Sequence, residues 1–540
     1  MDFLEKDSSL SKRTKLNPLH ITELVKFCMK QDFRCSFEII NTGSLLALVN
    51  VVGASVVDRA ILYGPAIEIP TLVLPARYFF VQLVDERGKN ITQSQGADAI
   101  EVRIWPDGGA SCSFHHFVYD AFDGSYNVRL VLHETCANLL VSVFSKSGKP
   151  LSKKHLLKGM LDPDDCVCPM AVEDWKAMAR CAEDLFHLID EDLAPWPSGS
   201  VNFKYVIGEV EKKWGRQTKG ASLVHYRIRG NRIFKKTYGT YVGFSEFSDR
   251  ALLSITRKVR LPDTDFVLNL GDWPLELHRR HSRPPVPIIS WCGSADSLDI
   301  VLPSYEVMLN TLKTNLSYNH DLLSVNHLRH IPWKEKVSKA FWRGRDSREE
   351  RLLLVNISRS HPDLLDAALT HFFFFHDQMT VYGPEVSTIP FQDFFKYKYQ
   401  VNVDGTVAAY RLTMLLAGNS LVLKQDSKYY EHYYRGMQKD VHYVPIKEDL
   451  SNLIEKIKWA KDNPKKALKV ISNAHKFLRH NVMPREVFCY NIEVLLRYDK
   501  ILKHPLHSVN MSDFQEVIQY PADEQTRCSC AQNMKQRHEL

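Results

Sequence analysis

Nowhere in this 540-residue chain do apolar residues run on for the ~18 positions that a membrane-spanning helix needs, so the chain is not expected to cross a bilayer. It has no dense stripe of Lys or Arg either. Its 70 basic and 63 acidic residues are interspersed, the formal net charge is only +7, and a nucleic-acid groove is not expected. The Gly-X-Gly-X-X-Gly spacing of a dinucleotide fold is missing. So are cysteine pairs at zinc-ligand spacing, and no histidine cluster completes such a site. The opening MDFLEKDSSLSKRTKLNPLH is polar and charged where a signal peptide would be apolar. The only candidate apolar core for one is internal, SLLALVNVVGASVV at 44–57.

What is present is ordinary globular material, 44% hydrophobic and 25% charged, over a length that calls for two or three domains. Residues 1–58 carry no assignment. Residues 59–158 are strand-rich, with runs such as TLVLPARYFFVQLVDERGKN and an Asp123-Gly124 turn into the alternating SYNVRLVL; they predict a small immunoglobulin-like β-sandwich. A cysteine-containing linker follows at 159–185. From 186 to 510, short apolar runs (DFVLNL, PIISW, KAFWRG, YQVNV, NSLVLK, HYVPI) alternate with amphipathic helical segments. That alternation predicts an α/β fold with two units of parallel sheet and crossover helices. Residues 511–540 form a tail.

Eleven cysteines fit an oxidising compartment. Cys166, Cys168 and Cys181, with Cys528 and Cys530 in the tail, read as disulfide formers rather than metal ligands. Sequons at Asn90, Asn315, Asn356 and Asn510 are compatible with that compartment. The last four residues, Arg537, His538, Glu539 and Leu540, form a variant of the endoplasmic-reticulum retrieval signal and call for a retrieval receptor as partner.

Ligands of open α/β sheets bind beyond the carboxyl ends of strands, and three such loops hold the polar residues. NLGDWPLE puts Asp272 just past a strand. FWRGRDSREERLLLV leaves a strand at Trp342, turns at Gly344 and enters a helix, presenting Arg343, Arg345, Ser347 and Arg351. VDGTVAAYRLTMLLAGNS reads as a glycine turn into a helix whose first turn is small-sided: Gly405, Thr406, Val407, Ala408 and Ala409, with Arg411 beside it. Glycine turns, helix N-termini and arginines make a cradle for a diphosphate, and one carboxylate supplies a base. Two other features have plainer readings. Asp263-Thr264-Asp265 is expected to be a turn rather than a metal-binding Asp-X-Asp, and HFFFFH, with Phe372 to Phe375, to be buried core. Residues alone thus reach an α/β domain for a phosphate-containing ligand.

NLGDWPLE, SWCGSADSLDIVLPSY, FWRGRDSREERL, FFKYKYQVNVDGTVAAYRLTMLLAGNSLVLKQDSKYYEHYY and HYVPIKEDLSNL, in that order, resemble the CAP10 family of glycosyltransferases. More closely, they resemble its endoplasmic-reticulum protein O-glucosyltransferases with a KDEL-like tail, whose N-terminal filamin-type repeat is similar to VLPARYFFVQLVDERGKN and DGSYNVRLVL. The likeness covers roughly residues 60–540. It implies a GT-B-like pair of Rossmann-type domains across a cleft, UDP-glucose as donor, no metal or cofactor, and residence in the lumen. The reaction implied is inverting transfer of glucose to serine in folded EGF-like repeats of Notch-type and extracellular-matrix proteins. A xylosyltransferase on the same scaffold and a non-catalytic lumenal binding protein are the alternatives.

By the same resemblance Asp272 is the catalytic aspartate. Arg351 and Arg411 bind the donor with Arg343, Gly344, Arg345 and Ser347, and the helix end at Gly405 to Ala409 faces UDP. The base and the arginines are expected on opposite sides of the cleft. Cys166, Cys168 and Cys489 match family positions, which implies that one of the first two pairs with Cys489 and the other with Cys181. Cys292 is expected to be a buried free thiol. Cysteines that a soluble relative lacking the repeat carries near Phe395 and Gly418 are both missing here, consistent with loss of one disulfide as a unit.

Overall fold

The computed structural model describes residues 35–42, 44–51, 57–109, 111–215, 222–278, 283–309, 322–325, 331–506, 510–518, 528 and 530. Asn315 and the last four residues lie outside them. The chain forms two compact units, residues 1–60 with 83–91 and residues 61–82 with 92–540. In the first, Cys35–Thr42 and Ser44–Val51 pair antiparallel, so the internal apolar stretch begins as a strand. Its other segment closes on itself, the Ile91 N–H donating to the Leu83 carbonyl at 2.9 Å. Among the described residues no helix is long and apolar enough to cross a membrane.

The second unit opens with antiparallel sheets. Ser125–Leu132 lies between Phe114–Asp120 and the 77–82 stretch of Arg77–Asp85. Asp123-Gly124 makes the expected turn: Gly124 has φ 82°, and Asp123 accepts the Ser125 N–H at 3.1 Å. The other sheet is Ile100–Pro106, Cys136–Ser145 and His155–Leu161.

The next sheet corrects the expectation of two parallel units. Ser222–Arg229 is flanked on both sides by antiparallel partners, Arg232–Gly239 and Thr264–Asn269; only Ile288–Ser290 and Ile300–Val301 continue in parallel. The cause is a two-residue hairpin. Gly230 and Asn231 have φ of 53° and 63°, the double left-handed conformation that reverses a chain between twisted strands. Asp265 sits inside the Thr264–Asn269 strand rather than in a turn, and is buried. Arg227 contacts its carboxylate at 2.7 Å, with Arg229 and His225 beside it, and these partners hold its pKa far below the usual range. Asp263-Thr264-Asp265 is therefore structural.

The third sheet is wholly parallel, in the spatial order Leu365–His371, Val337–Arg345, Tyr397–Asn402, Leu421–Gln425, Val444–Ile446. Leu421–Gln425, inside the sheet, is buried throughout, as a strand covered on both faces by crossover helices requires, whereas the edge strand Leu365–His371 alternates between buried and partly exposed residues. After Val337–Arg345 the chain runs through the helix Glu349–Ser360 to one side of the sheet; it then crosses to the other side for Tyr397–Asn402. The order reverses between those two strands, so the loops after Arg345 and Asn402 diverge and leave a crevice.

The cysteine pairing differs from the expected one. Cys181 pairs with Cys489, whereas Cys166 and Cys168 pair with Cys528 and Cys530, and Cys112 pairs with Cys136. Helix Val172–Ala179 packs on helix Pro484–Ile501 through Trp175 and Phe488, 5.5 Å between rings, which brings Cys181 alone to Cys489. The two Cys-X-Cys segments meet each other instead. Cys292 is free and buried, as expected.

Candidate active site

A cavity of about 490 Å³ opens at the crevice of the parallel sheet. Asp272, Arg343, Gly344, Arg345, Ser347, Arg351, Gly405, Thr406, Val407, Ala408, Ala409 and Arg411 all line it, so the fold brings together every candidate catalytic and donor residue. Asp272 enters from the loop after Thr264–Asn269, in the mixed sheet; the arginines and the glycine loop come from the parallel sheet. Tyr305, Glu306, Thr370, Thr388, Ile389, Phe394 and Tyr410 complete the wall.

The glycine segment is not a helix end. The helix starts only at Leu412 and has six residues, Leu412–Ala417, with Arg411 at its cap. Residues 405–409 form a compact loop in which the Gly405 N–H donates to the Val407 carbonyl at 2.9 Å. The β-branched pair Thr406-Val407 fits that loop better than a first helical turn. Likewise the Val337–Arg345 strand runs through Gly344, with a register shift between Gly344 and Arg345, and the turn comes after it. Both glycines serve close packing. A Cβ on Gly405 would lie 3.0 Å from Arg351 Nη2; one on Gly344 would lie 2.6 Å from the Trp342 ring and 3.0 Å from Arg411 Nη2. Only an absent side chain lets the guanidinium groups come this near the backbone.

The four arginines play different parts. Arg351 is buried and donates to three backbone carbonyls: Nε to Asp404 at 2.7 Å, Nη1 to Arg345 at 3.0 Å and Nη2 to Val403 at 3.2 Å. It thereby ties the two crevice loops together. Burial, with Arg411 nearby, pushes its pKa down to about 9. Arg343 is held by Asp366 at 2.7 Å. Arg411 donates Nη1 to the Arg343 carbonyl at 2.7 Å; burial lowers its pKa to about 10 while Glu306 opposes the shift. Arg345 is exposed, and among the described residues its guanidinium has no partner. The four arginines outnumber the cavity's two carboxylates, Asp272 and Glu306.

No described group hydrogen-bonds to the carboxyl of Asp272. It is open to solvent at the cavity, yet the walls displace enough water to push its pKa above the usual carboxylate value. Burial also raises the pKa of Glu306, against the pull of Arg411. Tyr305 and Tyr410 meet edge to face at 5.3 Å and close the wall. A carboxylate with raised basicity facing fixed cations suits proton abstraction from a hydroxyl while negative charge builds on a leaving phosphate.

Sequence reasoning missed Tyr305, Glu306, Thr388 and Phe394, which lie in segments without a glycine or arginine cluster. It also misplaced part of HFFFFH. Phe372 is buried, but Phe373 and Phe374 are 56% and 51% exposed, because the buried Asp346 carboxylate accepts the N–H groups of Phe373, Phe374 and Phe375 at 2.7, 2.9 and 2.6 Å and turns the segment outward.

The sequence profile of Glycosyl transferase family 90 matches residues 176–539. This chain belongs to that family. Among curated relatives, protein O-glucosyltransferase 2 of Danio rerio is 42% identical over 484 residues, 89% of this chain and 94% of that protein. Protein O-glucosyltransferase 3 of Homo sapiens is 40% identical over 504 residues, 92% of this chain and 97% of that protein. Likeness to solved structures is faint: TarM covers 90% of this chain and 83% of its own with 8% identity and a TM-score of 0.28. This family 90 protein is a glycosyltransferase. The Phe395 ring packs against Gly418, where a Cβ would overlap it.

Proposed function

We propose that this family 90 enzyme transfers glucose from UDP-glucose to a serine hydroxyl of EGF-like repeats in Notch-type and extracellular-matrix proteins, within the endoplasmic-reticulum lumen. The observation that carries the reading is the meeting of Asp272, from one sheet, with Arg345 and Arg411, from the other, in one cavity. Asp272 takes the serine proton as the serine oxygen bonds to C1; the C1–phosphate bond breaks on the opposite face, and configuration inverts. Arg345 and Arg411 stabilise the charge that collects on UDP, the service a metal ion gives other sugar transferases. The two α/β parts are a GT-B-like pair, and the N-terminal sandwich is a filamin-type repeat.

Three features support a protein acceptor in an oxidising lumen. Exposed aromatics border the cavity walls: Trp273 follows Asp272, Phe244 packs 6.1 Å from Tyr305, and Phe373-Phe374 follows the strand that carries Thr370. Four disulfides among the described residues suit an oxidising compartment. Sequon residues Asn90, Asn356 and Asn510 are exposed. The retrieval receptor would then read Arg537 to Leu540.

The test is purified protein with a folded EGF-like repeat, UDP-glucose or UDP-xylose, and EDTA, read by intact acceptor mass. Hexose addition that survives EDTA and disappears in Asp272→Asn supports the reading. Pentose addition redirects it to a xylosyltransferase; UDP binding without transfer across several repeats overturns it.

A further inference from the structure

Asp272 makes no hydrogen bond of its own among the described residues, so its position depends on the loop that carries it. That loop is held by three buried polar side chains. Asn269 ends the Thr264–Asn269 strand; its Oδ1 accepts the Gly271 N–H at 2.9 Å and its Nδ2 donates to the Trp273 carbonyl at 2.7 Å. Asp299 accepts the Leu275 N–H at 2.9 Å through Oδ1 and the Glu276 N–H at 2.8 Å through Oδ2. Ser290 joins them, donating to Asp299 at 2.6 Å and accepting from Asn269 at 3.2 Å. All three are at most 1% exposed.

Sheet register produces the row. Leu268 pairs with Ile289, which puts Asn269 beside Ser290, and Ile289 pairs with Ile300, which puts Asp299 at the next strand's start. The row grips the backbone at 271, 273, 275 and 276, on both sides of Asp272. Asp299 does not line the active cavity; it faces a separate cavity of about 800 Å³. Its reach to the chemistry is through the loop.

We propose that Asp299, acting with Ser290 and Asn269, is the positioning residue of the transfer reaction, setting the Asp272 carboxyl in line with the acceptor hydroxyl. This rests on Asp272 as the base. A displacement of about 1 Å in a reacting group can cost about 100-fold in rate. Asp299→Asn keeps the volume and replaces one acceptor with a donor that opposes an N–H; Ser290→Ala removes only the bridge.

The experiment measures kcat, KM for UDP-glucose, UDP affinity by calorimetry and Tm for both variants of the full chain. It adds the Asp272→Asn single variant and the Asp272→Asn/Asp299→Asn double variant. We expect kcat to fall about 10- to 100-fold in Asp299→Asn and less in Ser290→Ala, with UDP affinity within about twofold of the parent. The double variant is expected to be no slower than Asp272→Asn alone, since a positioning residue has nothing left to position. Should Asp299→Asn not fold, Ser290→Ala carries the same comparison. Unchanged kcat in a folded variant, equal losses of kcat and UDP affinity, or a further loss in the double variant would overturn the proposal. An inactive parent would instead defeat the functional reading, and an active Asp272→Asn the choice of base.

Discussion

Gly344→Ala tests whether the crevice is built around its arginines. No left-handed φ is involved at Gly344, so alanine meets no backbone penalty and the effect is purely one of space. The new Cβ would stand 2.6 Å from Trp342 Cζ2 and 3.0 Å from Arg411 Nη2, and both need to move by several tenths of an ångström or more. Trp342 is 1% exposed and cannot swing away. Arg411 can yield only by straining its 2.7 Å bond to the Arg343 carbonyl, one residue back along the same strand. Overpacking of this kind costs about 1–3 kcal/mol. At about 2–4 °C per kcal/mol for a cooperative unit of this size, Tm should fall by about 2–12 °C. Displacement of Arg411 should lower kcat/KM for UDP-glucose about tenfold or more, beyond what the loss of folded protein explains. Thermal unfolding, UDP titration and initial rates below the new Tm separate the two effects. A variant with parental Tm and parental kcat/KM would refute the steric argument; a lowered Tm with intact kcat/KM would refute the role of Arg411.

Burial raises the Asp272 pKa, and the proposed role as base requires it ionised, so on that proposal kcat/KM should decline as pH falls through a value above the ordinary carboxylate range of about 4 and be flat above it; a pH–rate profile with no acid limb above that value counts against Asp272. A Cβ on Gly418 would overlap the Phe395 ring, 3% exposed, so Gly418→Ala should lose about 1–3 kcal/mol in denaturant titration, and Phe395→Leu should restore part of it. Phe373→Ala/Phe374→Ala removes two exposed rings, so Tm should stay within about 2 °C while KM for a protein acceptor rises about tenfold and KM for UDP-glucose does not; equal KM values for the acceptor would show that the ridge is not part of its docking surface.

The residues that could be read from sequence were those whose chemistry and backbone signal coincide. Asp272 and Gly405 each follow an apolar run that is a strand, and Arg343, Arg345 and Arg411 lie beside glycine-marked segments; strand order then delivers them to one crevice, although the strand runs on through Gly344. Misreadings arose where a local signal was overruled from afar. The Gly230-Asn231 reversal turned one expected parallel sheet into a mixed one. Phe373 and Phe374 face outward because a carboxylate 27 and 28 residues earlier, Asp346, holds their backbone. Tyr305 and Glu306 reach the cavity from the start of the short Tyr305–Leu309 helix, a tertiary placement that no short window of sequence encodes. The cysteine pairing depended on which helix lies beside Pro484–Ile501, a tertiary fact.

The Cys181–Cys489 bond joins residues 308 positions apart, and Asp272, Arg345, Arg351, Gly405 and Arg411 all fall between them. The catalytic part of the chain is therefore a covalent ring. A single backbone cut anywhere on that ring would leave both pieces attached, so a nicked enzyme would run as one species until reductant is added. The ring also sets an order of events in biosynthesis. It cannot close until Cys489 has been synthesised, long after every residue of the cavity, so the crevice can assemble from an open chain and be locked afterwards. Once locked, the unfolded state is a closed loop with far fewer arrangements than a free chain, which favours return to the fold.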